Sequence, residues 1–199
     1  MDAFGRVLDV TYPDGERVHY EYDAGGLLQR AVGHRGQEQE VYLSELRYNV
    51  FGQKAYVRYG NGVESSLQYD ARSLQLRAVS TRAPGPAGRT LQELRYDYDE
   101  VGNVTGLVNA LGPARGNQSG EVRYGFGYDA LYRLRWARGE AQAKANSLDR
   151  FRAEWEYSDI HNMTRSVLQR EQVRTLALSP EFERPLKDNR DEAYVYGGG

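Results

Sequence analysis

The sequence predicts an all-β protein, a meander of antiparallel β-hairpins laid side by side into a strip that curls. Three observations predict it. A heptad, Tyr22-Asp23-Ala24-Gly25-Gly26-Leu27-Leu28, recurs along nearly the whole chain. The residues ahead of each recurrence alternate apolar and polar, the period-two pattern of a strand with one favoured face. Turn residues close both ends of those runs.

The copies are Tyr48-Asn49-Val50-Phe51-Gly52, Tyr69-Asp70-Ala71-Arg72-Ser73-Leu74, Tyr98-Asp99-Glu100-Val101-Gly102, Tyr128-Asp129-Ala130-Leu131-Tyr132 and Tyr157-Ser158-Asp159-Ile160-His161. Successive tyrosines stand 26, 21, 29, 30 and 29 residues apart. The chain opens inside a further copy, Asp2-Ala3-Phe4-Gly5, with Met1 where a tyrosine would stand. A period in this range marks a repeat architecture, in which each unit buries a face only against its neighbours.

The strands come first. Val18-His19-Tyr20-Glu21-Tyr22, Leu94-Arg95-Tyr96-Asp97-Tyr98 and Ala153-Glu154-Trp155-Glu156-Tyr157 alternate strictly. The residue two before each repeat tyrosine is large or apolar: Tyr20, Leu46, Leu67, Tyr96, Phe126 and Trp155. It shares a face with the tyrosine, so neighbouring strands stack these side chains as cross-strand ladders, each pair contributing roughly 0.2–1 kcal/mol.

The turns follow. Asp-x-x-Gly places Asp at the first turn position and Gly at the fourth, where positive φ is cheap. Asp23 to Gly26 fits, as do Asn49 to Gly52 and Asp99 to Gly102 with small changes. At Asp70 and Asp129 the glycine position holds Ser73 and Tyr132, so those turns need another form or carry strain. Midway between tyrosines lie Tyr12-Pro13-Asp14-Gly15, Gly33-His34-Arg35-Gly36 and Gly60-Asn61-Gly62, which close the opposite ends of the hairpins. Later midpoints, Thr81 to Gly88 and Gly112 to Gly120, are longer loops rich in Pro and Gly, which lengthens the period. Gly139 to Ser147 suits one helical turn. Residues 168–193 lose the pattern and are expected as an irregular excursion before Tyr194-Val195-Tyr196 resumes a strand.

These elements amount to some 13 strands over 1–199, a single array. An open sheet of that size curls or splits, and its open edges are available for self-association. The start inside a repeat and the close on Gly197-Gly198-Gly199 are expected of a piece of a larger array.

Composition narrows the chemistry. The 199 residues carry 26 basic and 28 acidic side chains, with lysine only at Lys54, Lys144 and Lys187. No basic cluster suits nucleic acid. With no cysteine, disulfides, thiolate metal sites and cysteine nucleophiles are excluded. No apolar run reaches the roughly 20 residues of a membrane span, and no signal peptide stands at the N-terminus. Tyr supplies 16 residues and Phe 5, which suits a wide half-exposed sheet better than a thick core.

Catalytic groupings are thin. His19, His34 and His161 lack metal spacing. Asp97, Asp99 and Glu100 form a small carboxylate group, but Asp97 faces opposite to Tyr98 and Asp99 is a turn residue. Ser65-Ser66 lacks a nucleophile elbow, and Gly125-Phe126-Gly127 lacks the helix a phosphate loop needs. No enzyme activity, cofactor or metal is expected. The residues that matter are structural: Tyr22, Asp23, Gly26, Tyr48, Gly52, Tyr69, Asp70, Tyr98, Asp99, Gly102, Tyr128, Asp129 and Tyr157.

Tyr-Asp-x-x-Gly-Arg/Asn-Leu resembles the YD repeat of rearrangement-hotspot (RHS) proteins and teneurins, over about Met1 to Val167. Tyr59-Gly60-Asn61-Gly62-Val63-Glu64 with Leu67-Gln68-Tyr69-Asp70, Leu91 to Asp99, and Tyr128 to Leu134 are similar to the RHS-repeat region of the B and C components of bacterial insecticidal toxin complexes. The resemblance implies a strip that spirals into a hollow shell around a toxic C-terminal polypeptide, within a secreted bacterial toxin. The partners it implies are the remaining shell polypeptide and that enclosed toxin domain. The chain lacks the family's C-terminal core motif, so no self-cleaving residue carries over. An alternative is a cell-surface adhesion or carbohydrate-binding module, with Tyr20, Tyr96 and Trp155 stacking on a ligand.

Overall fold

The computed structural model describes residues 1–85, 88–112, 120–144, 147–174 and 186–193. The described residues form strands and turns, with no helix. Contacts group the chain into two compact units, Met1–Gln92 and Glu93–Gly199. The first holds β1 (Asp9–Thr11), β2 (Arg17–Tyr22), β3 (Leu28–Arg35), β4 (Glu38–Tyr48), β5 (Lys54–Tyr59), β6 (Glu64–Tyr69) and β7 (Leu76–Arg82). The second holds most of β8 (Thr90–Tyr98), then β9 (Val104–Asn109), β10 (Val122–Tyr128), β11 (Leu134–Lys144), β12 (Ser147–Tyr157), β13 (Met163–Arg174) and β14 (Leu186–Ala193).

Within each unit strand order is sequence order, and every pairing is antiparallel. Among the described residues of a unit, a strand touches only its sequence neighbours. Each unit is therefore a β-meander of the kind the alternating pattern and paired turns require.

A single sheet layer has no thick interior, and the burial follows. Val18, Ala31, Val32, Leu46, Val57, Ala137 and Ala153 are buried, Val32 down to 3% exposure, while no large side chain is fully buried. Apart from Leu46, these buried residues are small or β-branched, which suits a pleated surface. In the second unit Gly139 leaves room for Tyr124 and Phe151 to meet above it, ring centroids 6.0 Å apart. Tyr96 and Tyr98 stack on one face at 6.4 Å, as the two-before-tyrosine pattern requires.

Three expectations are corrected. Residues 168–174 continue β13, and 186–193 form β14, which pairs back onto β13 with Leu168 opposite Arg190. Charged residues obscured the alternation there, yet cross-strand bonding needs only extended backbone. The rest of that expected excursion, and the strand at Tyr194 to Tyr196, lie outside the described residues. The helical turn expected over Gly139 to Ser147 is not formed by its described residues: Gly139–Lys144 ends β11, Ser147 starts β12, and pairing to β10 and to one another outweighs local helix propensity. Finally, the turn between β3 and β4 has its tip at Gly36-Gln37, with Arg35 opposite Glu38, while Gly33 lies within β3 beside Tyr42 and Glu16.

Candidate functional site

The repeat motif builds one joint, used over and over. In the copy at Asp23 the Asp23 N–H donates to the Leu27 carbonyl at 2.8 Å, and the Gly26 N–H donates to the Asp23 carbonyl at 3.0 Å. The Asp23 carboxylate accepts the Leu27 N–H at 2.9 Å. The same two backbone bonds recur at Asp2, Asn49, Asp99, Asp129 and Ser158. This is a tight turn followed by a left-handed residue, which leaves one extra residue on the outgoing strand. The register accordingly shifts at each repeat tyrosine: Tyr22, Tyr48, Tyr69, Tyr98, Tyr128 and Tyr157. The midpoint turns at Tyr12 and Tyr59 carry the same bond pair, so one turn chemistry serves both ends of these hairpins.

The glycines sit where the turn needs positive φ: Gly26 at 83°, Gly52 at 74° and Gly102 at 96°. The three copies without glycine part ways. The Asp129 turn keeps its form and forces Tyr132 to φ 61°, and the Ser158 turn does the same to His161 at 67°. The Asp70 turn grows by one residue: the Leu74 N–H donates to the Asp70 carbonyl, and Leu74 takes φ 58°. Asp70 then accepts the Arg72 and Ser73 N–H groups, both at 2.9 Å.

The tyrosine joins one copy to the next. Tyr22 Oη donates to the Val7 carbonyl at 2.8 Å, Tyr48 to Leu28 at 2.9 Å, Tyr69 to Lys54 at 2.9 Å, Tyr128 to Val104 at 2.8 Å and Tyr157 to Leu134 at 2.9 Å. Each acceptor lies two residues past the left-handed residue of the preceding copy. The phenol thus staples a hairpin onto the one before it. Face alternation alone does not reveal this bond, because the partner carbonyl belongs to an earlier repeat.

A second link was also hidden. At Arg6, Gln53 and Arg133 the residue after the fourth turn position reaches over to the next copy. Arg133 Nε donates to Asp129 at 2.7 Å, its Nη1 donates to the Ser158 carbonyl at 3.1 Å, and its guanidinium lies 4.8 Å from the Tyr157 ring centre. Arg6 pairs with Asp2 and lies 4.8 Å from the Tyr22 ring centre. Gln53 Nε2 donates to the Leu74 carbonyl at 2.8 Å, and Asn103 Nδ2 donates to Asp99 at 2.9 Å. The signal in the sequence is a polar side chain at the fifth position of most of these turns: Arg6, Gln53, Asn103, Arg133 and Asn162.

The electrostatics match a structural assignment. Hydrogen bonding by the Asn103 side chain holds the Asp99 carboxyl below its ordinary value, aided by the N–H groups of Asn103, Val101 and Gly102. The Ser73 and Arg72 N–H groups do the same for Asp70. For Asp2 and Asp129, burial in the turn pushes the carboxyl up, and the bonds from Arg6 and Arg133 outweigh it, leaving both lowered. Burial pushes the phenols of Tyr48, Tyr98 and Tyr128 up.

The structure does not bring the other candidates into a reactive cluster. His19 Nδ1 lies 2.9 Å from Asp9 on a partly exposed strand face, and His161 Nδ1 lies 3.4 Å from Arg133. Asp97 packs over Gly106, while Asp99 is occupied by its turn. The Ser65 hydroxyl lies 2.8 Å from that of Thr81. No group of three His, Asp or Glu among the described residues could hold a metal ion. Tyr20, Tyr96 and Trp155 are half-buried on their strand faces.

The comparisons agree with this architecture. Residues 2–37 match the RHS Repeat family model. The chain is 33% identical over 150 residues to toxin subunit YenC2 of Yersinia entomophaga, covering 72% of this chain and 16% of that protein. It is 36% identical over 128 residues to double-stranded DNA deaminase toxin A of Burkholderia cenocepacia, covering 58% of this chain and 9% of that protein. The crystal structure of TcdB2-TccC3 superimposes with a TM-score of 0.74 at 25% identity, over 94% of this chain and 9% of that one. The chain thus spans a small part of each relative's length. It is an RHS-repeat protein, similar over most of its length to toxin-complex subunits.

Proposed function

We propose that this chain is a non-catalytic wall segment of a toxin-encapsulating RHS shell. The observation that supports it is the phenol-to-carbonyl staple. Tyr22, Tyr48, Tyr69, Tyr128 and Tyr157 each bond a carbonyl in the preceding copy, so the motif's chemistry is used in joining hairpins. The turn carboxylates are likewise committed to backbone N–H groups. What remains is shape: a strip that can be lengthened repeat by repeat. In this reading its partners are the rest of the shell polypeptide and an enclosed C-terminal toxin domain, and the assembly acts outside the producing cell. Electron microscopy of the full-length parent protein tests it. A closed cavity is expected, and a solid or rod-like particle would overturn the assignment.

A further inference from the structure

One face of the second unit carries its charges in rows that run across the strands. Directly paired residues share a face, so each row follows from the register. One row runs Arg123, Glu140, Arg150, Glu171 over β10 to β13, and its sign alternates at every step. Within it Arg150 Nε donates to Glu140 at 3.1 Å. The neighbouring row runs Asp97, Gly106, Gly125, Arg138, Arg152, Gln169 over β8 to β13. Here two arginines stand directly opposite each other, with glycine on one side and uncharged glutamine on the other. Like charges so placed oppose strand pairing. Arg152 is paired with Glu154 of its own strand at 2.6 Å. Arg138 lies 5.3 Å from the Trp136 ring centre and leans over Gly125, and among the described residues it has no carboxylate partner. Asp97 leans over Gly106 from the far side of the glycine pair. The trough above this face has a volume of about 840 Å³. That lies within the roughly 300–1,000 Å³ of small-ligand sites.

We infer that Arg138 and Arg152 form a binding site for a phosphate group in this trough. Their chemistry selects the ligand class. Opposed Cβ atoms on paired strands stand about 4.5–5.5 Å apart, so both guanidinium forks can close on one oxyanion. A divalent tetrahedral anion matches two positive charges and offers oxygens to both forks, whereas a single carboxylate brings one charge and two oxygens. Bound there, it turns the repulsion between the arginines into attraction to a shared centre. Asp97 repels an anion at the far end of the glycine pair, so the phosphate belongs at the arginine end. The alternating row beside it has no such vacancy of negative charge, because Glu140 already stands between Arg123 and Arg150. The site lies wholly on one sheet face of the second unit and needs no enclosing shell.

Calorimetric titration of the full 199-residue chain with inorganic phosphate, and separately with phosphoserine, tests it against sodium chloride at matched ionic strength. Saturable one-site binding of phosphate is expected, with none for chloride. Arg138→Gln should weaken it about tenfold or more, the scale of a hydrogen bond to a charged group, with an unchanged far-UV circular dichroism spectrum. Arg95→Gln, in the alternating row and bonded to Glu93 at 2.8 Å, should leave it unchanged. Asp97→Asn should tighten it. Binding of phosphoserine as well as inorganic phosphate assigns a phosphoryl ester, and binding of inorganic phosphate alone assigns the free ion; either upholds the site. A response that chloride reproduces would show only screening of the two arginines and would overturn the proposal. So would phosphate binding that survives the double substitution Arg138→Gln, Arg152→Gln, or tighter binding of glutarate than of phosphate.

Discussion

The Tyr157 hydroxyl donates to the carbonyl of Leu134 across 2.9 Å, and Arg133, next to that carbonyl's residue, lies over the Tyr157 ring. One side chain is thus held at its tip and on its face by the preceding copy. Tyr157→Phe removes the bond and keeps the ring. It should cost about 1 kcal/mol, the ordinary net worth of a hydrogen bond. For a chain of this size that is roughly 2–4 °C in Tm. Tyr132→Phe, at an exposed turn tip, should change Tm little, and the two melts together check the staple.

The left-handed turn positions predict opposite signs at different copies. Gly26 stands at φ 83°, where a β-branched residue is strained whatever the space around it. Gly26→Val should therefore lower Tm more than Leu28→Val. Tyr132 already occupies the same position at φ 61°. Relief of about 1–2 kcal/mol of left-handed strain exceeds the 0.5–1 kcal/mol entropic cost of glycine. Tyr132→Gly should therefore raise Tm. Thermal melts showing the reverse order would remove the turn assignment.

Gly60 is required for a different reason. Its N–H donates to the Tyr42 carbonyl at 3.1 Å, and a Cβ there would overlap the Val41 carbonyl oxygen. Backbone cannot yield as a side-chain end can. Gly60→Ala should cost more than Gly36→Ala, where no neighbour stands within 4 Å of the added carbon but φ is 61°. Denaturant midpoints of the two variants give the comparison.

Acid should loosen the turns. Asp2, Asp70, Asp99 and Asp129 have folded-state values below the ordinary 3.8, so the unfolded chain binds protons more readily. Their contribution is complete above 3.8 and is lost as pH falls through the depressed folded values. Asp99→Asn copies the natural Asn49 turn, whose amide oxygen accepts the Phe51 and Gln53 N–H groups at 3.0 Å. That variant should melt like the parent near neutrality and fall less steeply below pH 4. An unchanged acid slope would show that this carboxylate is not among its causes.

Arg133 makes three contacts that a lysine cannot make together, since it needs a planar fork to bond Asp129 and Ser158 while lying over Tyr157. Arg133→Lys should therefore destabilise nearly as much as Arg133→Gln, and both more than Arg135→Gln on an exposed strand face. Loss of most of the Arg133→Gln effect in a Tyr157→Leu background would show that the two residues act as one joint.

The class of fold and most hairpins were legible because both signals are local. Alternation at Val18 to Tyr22 needs only five residues to declare a strand, and Asp23 to Gly26 needs four to declare a turn. Legibility failed where charge masked the period, as in β13 and β14, and where an Ala/Glu/Gln-rich stretch favoured a helix over the strand it forms. At Asp70 a five-residue form replaced the expected turn, and only the Leu74 backbone reveals it.

The sequence by itself determined the repeat, its all-β character and the residues that turn the chain, because turn and strand preferences are written within a few bonds of the backbone. Only the tertiary structure decided what the tyrosine and the fifth-position arginine are for. Tyr157 meets Leu134 across 23 residues, and Arg133 meets Ser158 across 25. Such contacts depend on strand register, and register is a property of neighbouring hairpins together, which no single copy of the motif contains.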